Sequence, residues 1–125
     1  MNRKQSSTRP VLLVETDASV RRALTRTMQH AGFDVQSFAS AEALLASGAL
    51  EADARLVLDV DMPGIGGAEL RQALIESGRD RPTIFITASD REGLDAQLAR
   101  LAPVAVLRKP FNNEDLLAAL GRACA

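Results

Sequence analysis

The sequence predicts an α/β fold in which one parallel sheet is covered by helices on both faces. Five short apolar runs alternate along the 125 residues with segments whose apolar residues recur at helical spacing. Strands and helices alternating at this rhythm imply right-handed crossovers, which place the helices on both sides of a parallel sheet. A chain of this length is expected to form a single domain.

The predicted strands are rich in Val, Ile and Leu. They are PVLLV (10–14), FDVQSF (33–38), RLVLDV (55–60), PTIFIT (82–87) and PVAVL (103–107). Most of these runs are too continuously apolar for a sheet that has one face in water. We therefore expect both faces of the sheet to be buried.

Helices are predicted after each strand, each with one apolar face toward the sheet. Their apolar positions are Val20, Leu24, Thr27, Met28 and Ala31; Leu44 and Leu45; Leu70, Ala73 and Leu74; Leu94, Leu98 and Leu101; and Leu116, Leu117 and Leu120. Gly32 and Gly78 follow two of these stretches, where a left-handed residue readily ends a helix. Ser89 with Glu92 matches a capping box, and Asn112 is a suitable N-cap for the last helix.

Composition excludes several functional classes. Hydrophobic residues make up 46% and charged residues 25% of the chain, which is typical of soluble globular proteins, and no apolar stretch approaches a membrane span. The formal net charge of −1 provides no basic field for nucleic acid or anionic lipid. The single cysteine, Cys124, excludes an internal disulfide and fits a reducing compartment. Residues 1–9 lack the apolar region of a signal peptide, so we expect a flexible tail before a domain over residues 10–125.

Polar side chains follow most of the predicted strands. Glu15, Thr16 and Asp17 follow the first strand, Asp59 ends the apolar part of the third with Asp61 two residues later, Thr87 ends the fourth, and Arg108 and Lys109 follow the fifth. The second strand offers nothing charged at its end. In open parallel sheets, ligands bind outside the carboxyl ends of the strands, so these side chains are expected to share one site.

Acids from two strands, a hydroxyl and a lysine suit a divalent cation combined with a phosphoryl group. Two carboxylates about 4 Å apart repel by roughly 4 kcal/mol at an effective dielectric of 20, so an apposed pair needs a cation or a proton. Mg²⁺ commonly takes one or two carboxylates and completes its shell with water and phosphate oxygens. Lys109 would supply a positive charge for a phosphoryl oxygen, and Thr87 a hydroxyl donor that can rotate.

Each of these residues also has a plainer interpretation. Asp17 is well placed to cap the first helix, and Asp61 on its own is an ordinary turn residue. Taken singly, Lys109 is a surface lysine and Thr87 a common strand-end residue. His30, the only histidine, is expected to cap the polar side of a helix end rather than to carry phosphate.

Three motifs resemble those of the receiver domains of two-component response regulators. LDVDMPGIGG (58–67) resembles the family's Asp-x-x-Met-Pro-Gly signature, ITAS (86–89) its strand-four hydroxyl before a small residue, and RKPF (108–111) its Lys-Pro-Phe. The resemblance extends over residues 10–123. It implies a CheY-like, flavodoxin-like (βα)5 fold, a three-layer sandwich with sheet order 2-1-3-4-5.

The resemblance also implies a role for each residue. Asp59 would accept a phosphoryl group from a histidine kinase or a histidine phosphotransfer protein, forming an acyl phosphate. Glu15 and Asp59, with the backbone carbonyl of Asp61, would hold Mg²⁺. Lys109, whose bond to the following proline is expected to be cis, would pair with the phosphoryl group. Thr87 would move inward to bond a phosphoryl oxygen and shift the face around the fourth helix and fifth strand.

Two positions depart from the family's pattern. The family usually has two adjacent acids after the first strand, the second being the direct metal ligand, but here Thr16 follows Glu15. We expect phosphorylation to survive with weaker Mg²⁺ binding, because Glu15 and Asp59 still supply two carboxylates and Asp61 could add one directly or through water. Val106 occupies the position of the aromatic switch residue, so gating by a ring that changes rotamer cannot operate.

Two other functions remain open. A degenerate receiver would bind partners without phosphate, because Thr16 and Val106 have eroded the switch. A phosphatase resembling the haloacid dehalogenases would use DVD (59–61) as its Asp-x-Asp motif, but that family has the motif on its first strand and a longer chain. GIGG (64–67) lacks the third glycine of a dinucleotide fingerprint, so a Rossmann cofactor is not expected.

Partners are expected to be proteins. The resemblance predicts a cytoplasmic phosphoacceptor that turns over no separate substrate, and this segment is not expected to bind nucleic acid or membrane. Leu94, Leu98 and Leu101 with the final helix are candidates for a homodimer face formed by helix 4, strand 5 and helix 5. Core packing is the favoured role for these leucines.

Overall fold

The computed structural model describes residues 9–123, which form one parallel five-stranded sheet with helices on both faces. The strands are β1 (Val11–Val14), β2 (Val35–Phe38), β3 (Arg55–Asp59), β4 (Thr83–Thr87) and β5 (Ala105–Arg108). The helices are α1 (Ala18–His30), α2 (Ala41–Ser47), α3 (Gly67–Glu76), α4 (Leu94–Ala99) and α5 (Asn113–Ala123), with a 3₁₀ turn at Ala49–Glu51. The order is β2-β1-β3-β4-β5 with every pair parallel, so the predicted flavodoxin-like architecture is confirmed.

The edge strands differ most from their predicted bounds. β2 begins at Val35 rather than at residue 33, and β5 runs from Ala105 to Arg108 rather than over 103–107. Most of the predicted tail and Cys124 lie outside the described residues. Between residues 9 and 123, no helix is long and apolar enough to cross a bilayer.

The core consists of two apolar layers, because alternate side chains of each strand point to opposite faces of the sheet. Leu12 and Val14 of β1 pack in the layer shared with α2, α3 and α4. Val11 and Leu13 pack in the layer shared with α1 and α5. All residues of β1, β3 and β4 are buried, as the continuous apolar runs predict. Burial of each large aliphatic side chain contributes about 1.5–3 kcal/mol, so both layers stabilise the sheet.

Helix ends agree with the sequence at most positions and differ at α4. Asp17 caps α1, accepting the Val20 N–H at 3.0 Å. The predicted capping box of Ser89 and Glu92 is wrong, since α4 begins at Leu94 after Gly93, whose φ is 85°. This left-handed residue delays the start of the helix, and the Ser89 hydroxyl accepts a hydrogen bond within its own loop instead.

The start of α3 packs directly against the end of β3. A Cβ atom at Gly67 would lie 2.6 Å from the carbonyl oxygen of Asp59, and one at Gly66 would lie 2.9 Å from that of Val60. Only glycine permits such a close approach of two backbones. The glycines of GIGG therefore bring a helix against the Asp59 strand end.

Candidate functional site

Four of the predicted site residues meet at the carboxyl edge of the sheet. Glu15 follows β1, Asp59 and Thr87 end β3 and β4, and Lys109 follows β5. Glu15 is 1%, Asp59 3% and Thr87 0% exposed, although all three are polar. Because β3 lies between β1 and β4, Asp59 occupies the centre of this edge. The sheet therefore assembles, from residues far apart in sequence, the site that strand-end reasoning predicted.

Lys109 joins the two buried acids. Its Nζ donates to Glu15 Oε1 at 2.9 Å and lies 3.7 Å from Asp59 Oδ2. Burial alone would lower the pKa of Lys109, but the hydrogen bond to Glu15 and the charge of Asp59 outweigh it and raise the pKa overall. Lys109 is therefore a cation at neutral pH. The bond from Lys109 to Pro110 is cis, as expected from the resemblance.

Asp59 is an ionisable group whose charged form is poorly accommodated. Its pKa is raised from the ordinary 3.8 to about 6, chiefly by burial and also by the neighbouring Glu15 carboxyl. The Asp61 N–H, which donates to Asp59 Oδ1 at 2.9 Å, and the Lys109 charge act in the opposite direction. A cation beside Asp59, or protonation of its carboxyl group, would remove this unfavourable negative charge.

The three residues of the loop after β1 have different roles. Glu15 is buried and also accepts the Asp17 N–H through Oε2 at 3.0 Å. Thr16 is exposed and supplies no carboxylate where the family usually has a metal ligand. The backbone hydrogen bond from Val20 lowers the pKa of Asp17, which is committed to the helix cap as predicted. Glu15 is thus the acid of this loop that faces the site.

The Asp61 side chain contacts the β4 strand end. Its carboxylate accepts the Thr87 hydroxyl at 2.9 and 3.1 Å and the Ala88 N–H at 2.7 Å. The sequence predicts this carboxylate to be a metal ligand, directly or through water, and no spacing pattern links it to Thr87, 26 residues away. We call these three hydrogen bonds the Asp61 contact.

The described residues offer a modest donor set for a divalent cation. Within residues 9–123, no three carboxylate, imidazole or thiolate groups are gathered as a cation site. Two buried carboxylates, Glu15 and Asp59, remain, and burial beside Glu15 raises the pKa of Asp59. With one backbone carbonyl and the oxygens of a phosphoryl group, this set fits Mg²⁺, which seldom uses an all-protein shell.

Arg21 is a structural residue of the site that sequence reasoning missed. Its guanidinium donates to the carbonyl oxygens of Glu15 at 2.8 Å and Thr16 at 3.3 Å. The contact fixes the loop after β1 against the second turn of α1. Its position one turn after the Asp17 cap is the only sequence signal, and that signal is common to many helices.

The face around α4 and β5 is only partly as predicted. Leu94, Leu98 and Leu101 are at most 6% exposed and belong to the core, which confirms their favoured role. Val106 is 36% exposed on β5. Beside it, Arg108 pairs with Asp95 of α4. The surface of this face is therefore provided by polar residues and Val106 rather than by the leucines.

His30 lies apart from the site. It is exposed in the last turn of α1, and α1 runs from the carboxyl edge of β1 back toward the amino end of the sheet. The histidine therefore stands at the opposite end of the helix from Glu15 and Asp59. Its position agrees with the helix-end role expected from the sequence.

Comparison with known proteins identifies relatives over nearly the whole chain. The family described as response regulator receiver domain matches residues 11–121. The transcriptional regulatory protein TdiR of Thauera aromatica is 35% identical over 122 residues, which are 98% of this chain and 54% of that protein. Nodulation protein W of Bradyrhizobium diazoefficiens is 34% identical over 110 residues, 88% of this chain and 48% of its own. The chain thus spans about half the length of these two relatives.

Solved structures show the same architecture. FixJ-N superposes with a TM-score of 0.84 at 30% identity, covering 92% of each chain. The chemotaxis protein CheY4 of Vibrio cholerae gives a TM-score of 0.82 at 28% identity, covering 94% of this chain and 99% of its own. The shared fold, the family match and the strand-end residues agree. The chain belongs to the response regulator receiver domain family.

Proposed function

We propose that this chain is a phosphoacceptor that takes a phosphoryl group onto Asp59 from a histidine kinase or a histidine phosphotransfer protein. The observation that carries the proposal is the state of Asp59 itself. It is a buried carboxyl group at the centre of the ligand-binding edge, with a pKa raised to about 6 and a lysine 3.7 Å away. Perturbed acids of this kind concentrate at functional sites.

The transfer is a displacement at phosphorus. An ionised Asp59 oxygen attacks the phosphorus of a phosphohistidine, a new P–O bond forms, and the P–N bond breaks. The electron pair of the broken bond goes to the imidazole nitrogen, which takes a proton from solvent. The product is an aspartyl phosphate, and attack by water returns the carboxylate and inorganic phosphate. The chain therefore modifies itself and turns over no separate substrate.

The other residues of the edge stabilise negative charge. Lys109 already lies beside both acids and can move its ammonium group from Glu15 to a phosphoryl oxygen. Mg²⁺, held by Glu15, Asp59 and the Asp61 carbonyl, would neutralise phosphoryl charge when bound. Thr87 would donate its hydroxyl to a phosphoryl oxygen. Thr16, exposed and uncharged, leaves the chain one metal-binding carboxylate short of the usual family site.

The phosphodonor is expected to meet the basic side of α1. The helix contains no acidic residue, and Arg22 and Arg26 are exposed on it beside a cleft of about 230 Å³. The helix begins next to the Glu15 loop, so a protein that reaches Asp59 also reaches its first turns. A donor with an acidic surface would associate faster, because it is attracted electrostatically to these arginines.

Intact-mass spectrometry with a small phosphodonor such as acetyl phosphate tests the proposal. The wild-type chain should gain one phosphoryl group in millimolar Mg²⁺ and much less in a chelator. Asp59→Asn should gain none, and peptide mapping should place the adduct on Asp59. No adduct at millimolar Mg²⁺, or an adduct that persists in Asp59→Asn, would overturn the proposal.

A degenerate receiver is the second candidate, favoured by the exposed Thr16 and by the Asp61 contact, which already occupies the Thr87 hydroxyl. Such a module would bind its partner in the cytoplasm without phosphate. Asp59→Asn would then keep full partner binding, and the wild type would not respond to beryllofluoride with Mg²⁺. The phosphorylation-dependent proposal includes a homodimer through α4, β5 and α5, a face on which Val106 is exposed. Sedimentation with and without beryllofluoride separates the two candidates.

A further inference from the structure

We propose that the Asp61 side chain is a positioning residue that restrains Thr87 and Ala88 before phosphorylation, and thereby sets the threshold for switching in this chain. The inference rests on the proposed function of Asp59. It assigns to Asp61 a role other than metal binding through its carboxylate. The carrying observation is the Asp61 contact.

The Asp61 contact engages both the Thr87 hydroxyl and the Ala88 N–H. The Thr87 hydroxyl has one proton, and both Asp61 oxygens share it at 2.9 and 3.1 Å. The Ala88 N–H donates to Asp61 Oδ2 at 2.7 Å, and the Ser89 N–H fixes the Thr87 oxygen from the other side at 2.9 Å. Hydrogen bonds to a carboxylate are roughly twice as strong as those between neutral groups. Thr87 is thus held in its present orientation by charge.

The neighbouring acids have separate sets of partners. Asp59 interacts with Lys109, Glu15 and the Asp61 N–H, whereas the hydrogen bonds of the Asp61 side chain within the described residues go to the β4 end. The backbone of one residue therefore supports Asp59 while its side chain holds Thr87. Because β3 and β4 are paired, with Asp59 opposite Ile86, the Thr87 position is adjacent to the phosphoacceptor strand end.

A phosphoryl group on Asp59 would compete for these same donors. For Thr87 to donate its hydroxyl to a phosphoryl oxygen, it must first leave Asp61. Val106 is exposed on β5 and carries no ring that could gate this movement. The restraint on Thr87 in this chain therefore comes from the β3–α3 loop rather than from β5.

The test measures beryllofluoride binding in Mg²⁺ by NMR, with the Ala88 amide signal as reporter. In Asp61→Ala, this signal should move upfield before any ligand is added, because its acceptor is gone. Beryllofluoride should then saturate the variant at a concentration about three- to tenfold lower than the wild type. Asp61→Asn, which keeps an oxygen acceptor but loses the charge, should fall between the two.

Two controls separate the contact from a general loss of negative charge or stability. Asp90→Ala removes an exposed acid from the following loop and should leave both the Ala88 signal and the saturation point unchanged. In a Thr87→Ala background, Asp61→Ala should lose most of its effect on saturation, because the restrained hydroxyl is absent. A purely structural role for Asp61 would give equal effects in both backgrounds.

The outcomes distinguish this inference from the proposed function. If the wild type binds beryllofluoride and Asp61→Ala binds it equally or more weakly, the inference is overturned, and weaker binding would assign Asp61 to the metal side. If neither protein binds, the proposed function fails and the inference fails with it. Tighter binding by Asp61→Ala that depends on Thr87 supports both.

Discussion

Arg71 and Asp59 are both buried charged side chains, but their charges are compensated to different degrees. Arg71 is 4% exposed on α3, and its Nε donates to the Leu101 carbonyl at 3.1 Å. One terminal nitrogen donates to the Arg81 carbonyl at 2.9 Å and pairs with Asp80. These contacts connect α3 to the end of α4 and the start of β4.

Asp59, at the carboxyl edge, has much weaker compensation for its charge. It accepts one backbone N–H, faces Lys109 at 3.7 Å and lies near a second acid, and its pKa rises to about 6. The two residues thus represent two kinds of buried charge. Arg71 is part of the scaffold because its Nε and one terminal nitrogen bind protein acceptors, whereas the raised pKa of Asp59 supports its proposed role as the phosphoacceptor.

Replacing Arg71 should have the largest effect on the free energy of unfolding. We expect Arg71→Ala to lower the free energy of unfolding by about 3 kcal/mol, since it frees two carbonyls and opens a gap beside α3. Urea unfolding measures the loss, with the exposed Arg100→Ala as the matched control. A loss below about 1 kcal/mol would show that the Arg71 contacts do not support the fold.

Replacing Asp59 by Asn should instead raise the free energy of unfolding. The folded state favours protonated Asp59, so the stability of the wild type should fall as pH rises from about 4 through 6. Asp59→Asn removes this cost and should be more stable by on the order of 2 kcal/mol at pH 8, with no gain near pH 4. Thermal unfolding across this range checks the prediction, with the exposed Asp90→Asn as control. A constant difference at all pH values would contradict it.

Lys109 lies between the two cases, because it partly compensates the acids. Lys109→Met should cost about 1–2 kcal/mol at neutral pH, because the buried Glu15 loses its partner, and the loss is smaller than for a fully buried pair because the lysine is partly exposed. The raised pKa of Lys109 means that its contribution is complete below its unfolded value and is lost only as pH rises through the folded value. The wild-type advantage should therefore persist to pH 9 and narrow above about 10.5. Arg122→Met, an exposed change on α5, should show neither effect.

The arginines of α1 should affect association rather than stability. Replacing Arg22 and Arg26 by Gln should change the free energy of unfolding by less than about 0.5 kcal/mol, because both are exposed. Phosphotransfer from a protein donor should slow and lose most of its salt dependence, while phosphorylation by acetyl phosphate is unchanged. An Arg100→Gln and Arg122→Gln double variant is the control. Equal slowing of phosphotransfer in that control variant would contradict a specific role of the α1 arginines in association.

The sequence predicts the scaffold better than the contacts between strand ends. The continuous apolar runs identify β1, β3 and β4, because burial on both faces leaves a direct composition signal. The sheet order follows from the family resemblance and not from periodicity. The Asp17 cap was predictable because cap and helix are adjacent, but the start of α4 was not, since Gly93 overrides the Ser89 pattern.

The site was predictable as a set of residues but not in its pairing. Parallel strands share one carboxyl edge, so the sequence is enough to predict that Glu15, Asp59, Thr87 and Lys109 lie close together. It could not show that the Asp61 carboxylate would contact Thr87, which depends on the conformation of two loops. Arg71 was likewise missed, because its partners lie up to 30 residues away.

The titration of the Asp59 carboxyl carbon by NMR, with and without Mg²⁺, tests the central claim most directly. Without metal, the midpoint should lie near pH 6, well above the ordinary value of 3.8. Millimolar Mg²⁺ should move the midpoint down, because the cation favours the ionised carboxyl. A midpoint near 4 that does not respond to Mg²⁺ would show that Asp59 is fully compensated by the protein, and would contradict its availability to a phosphoryl group.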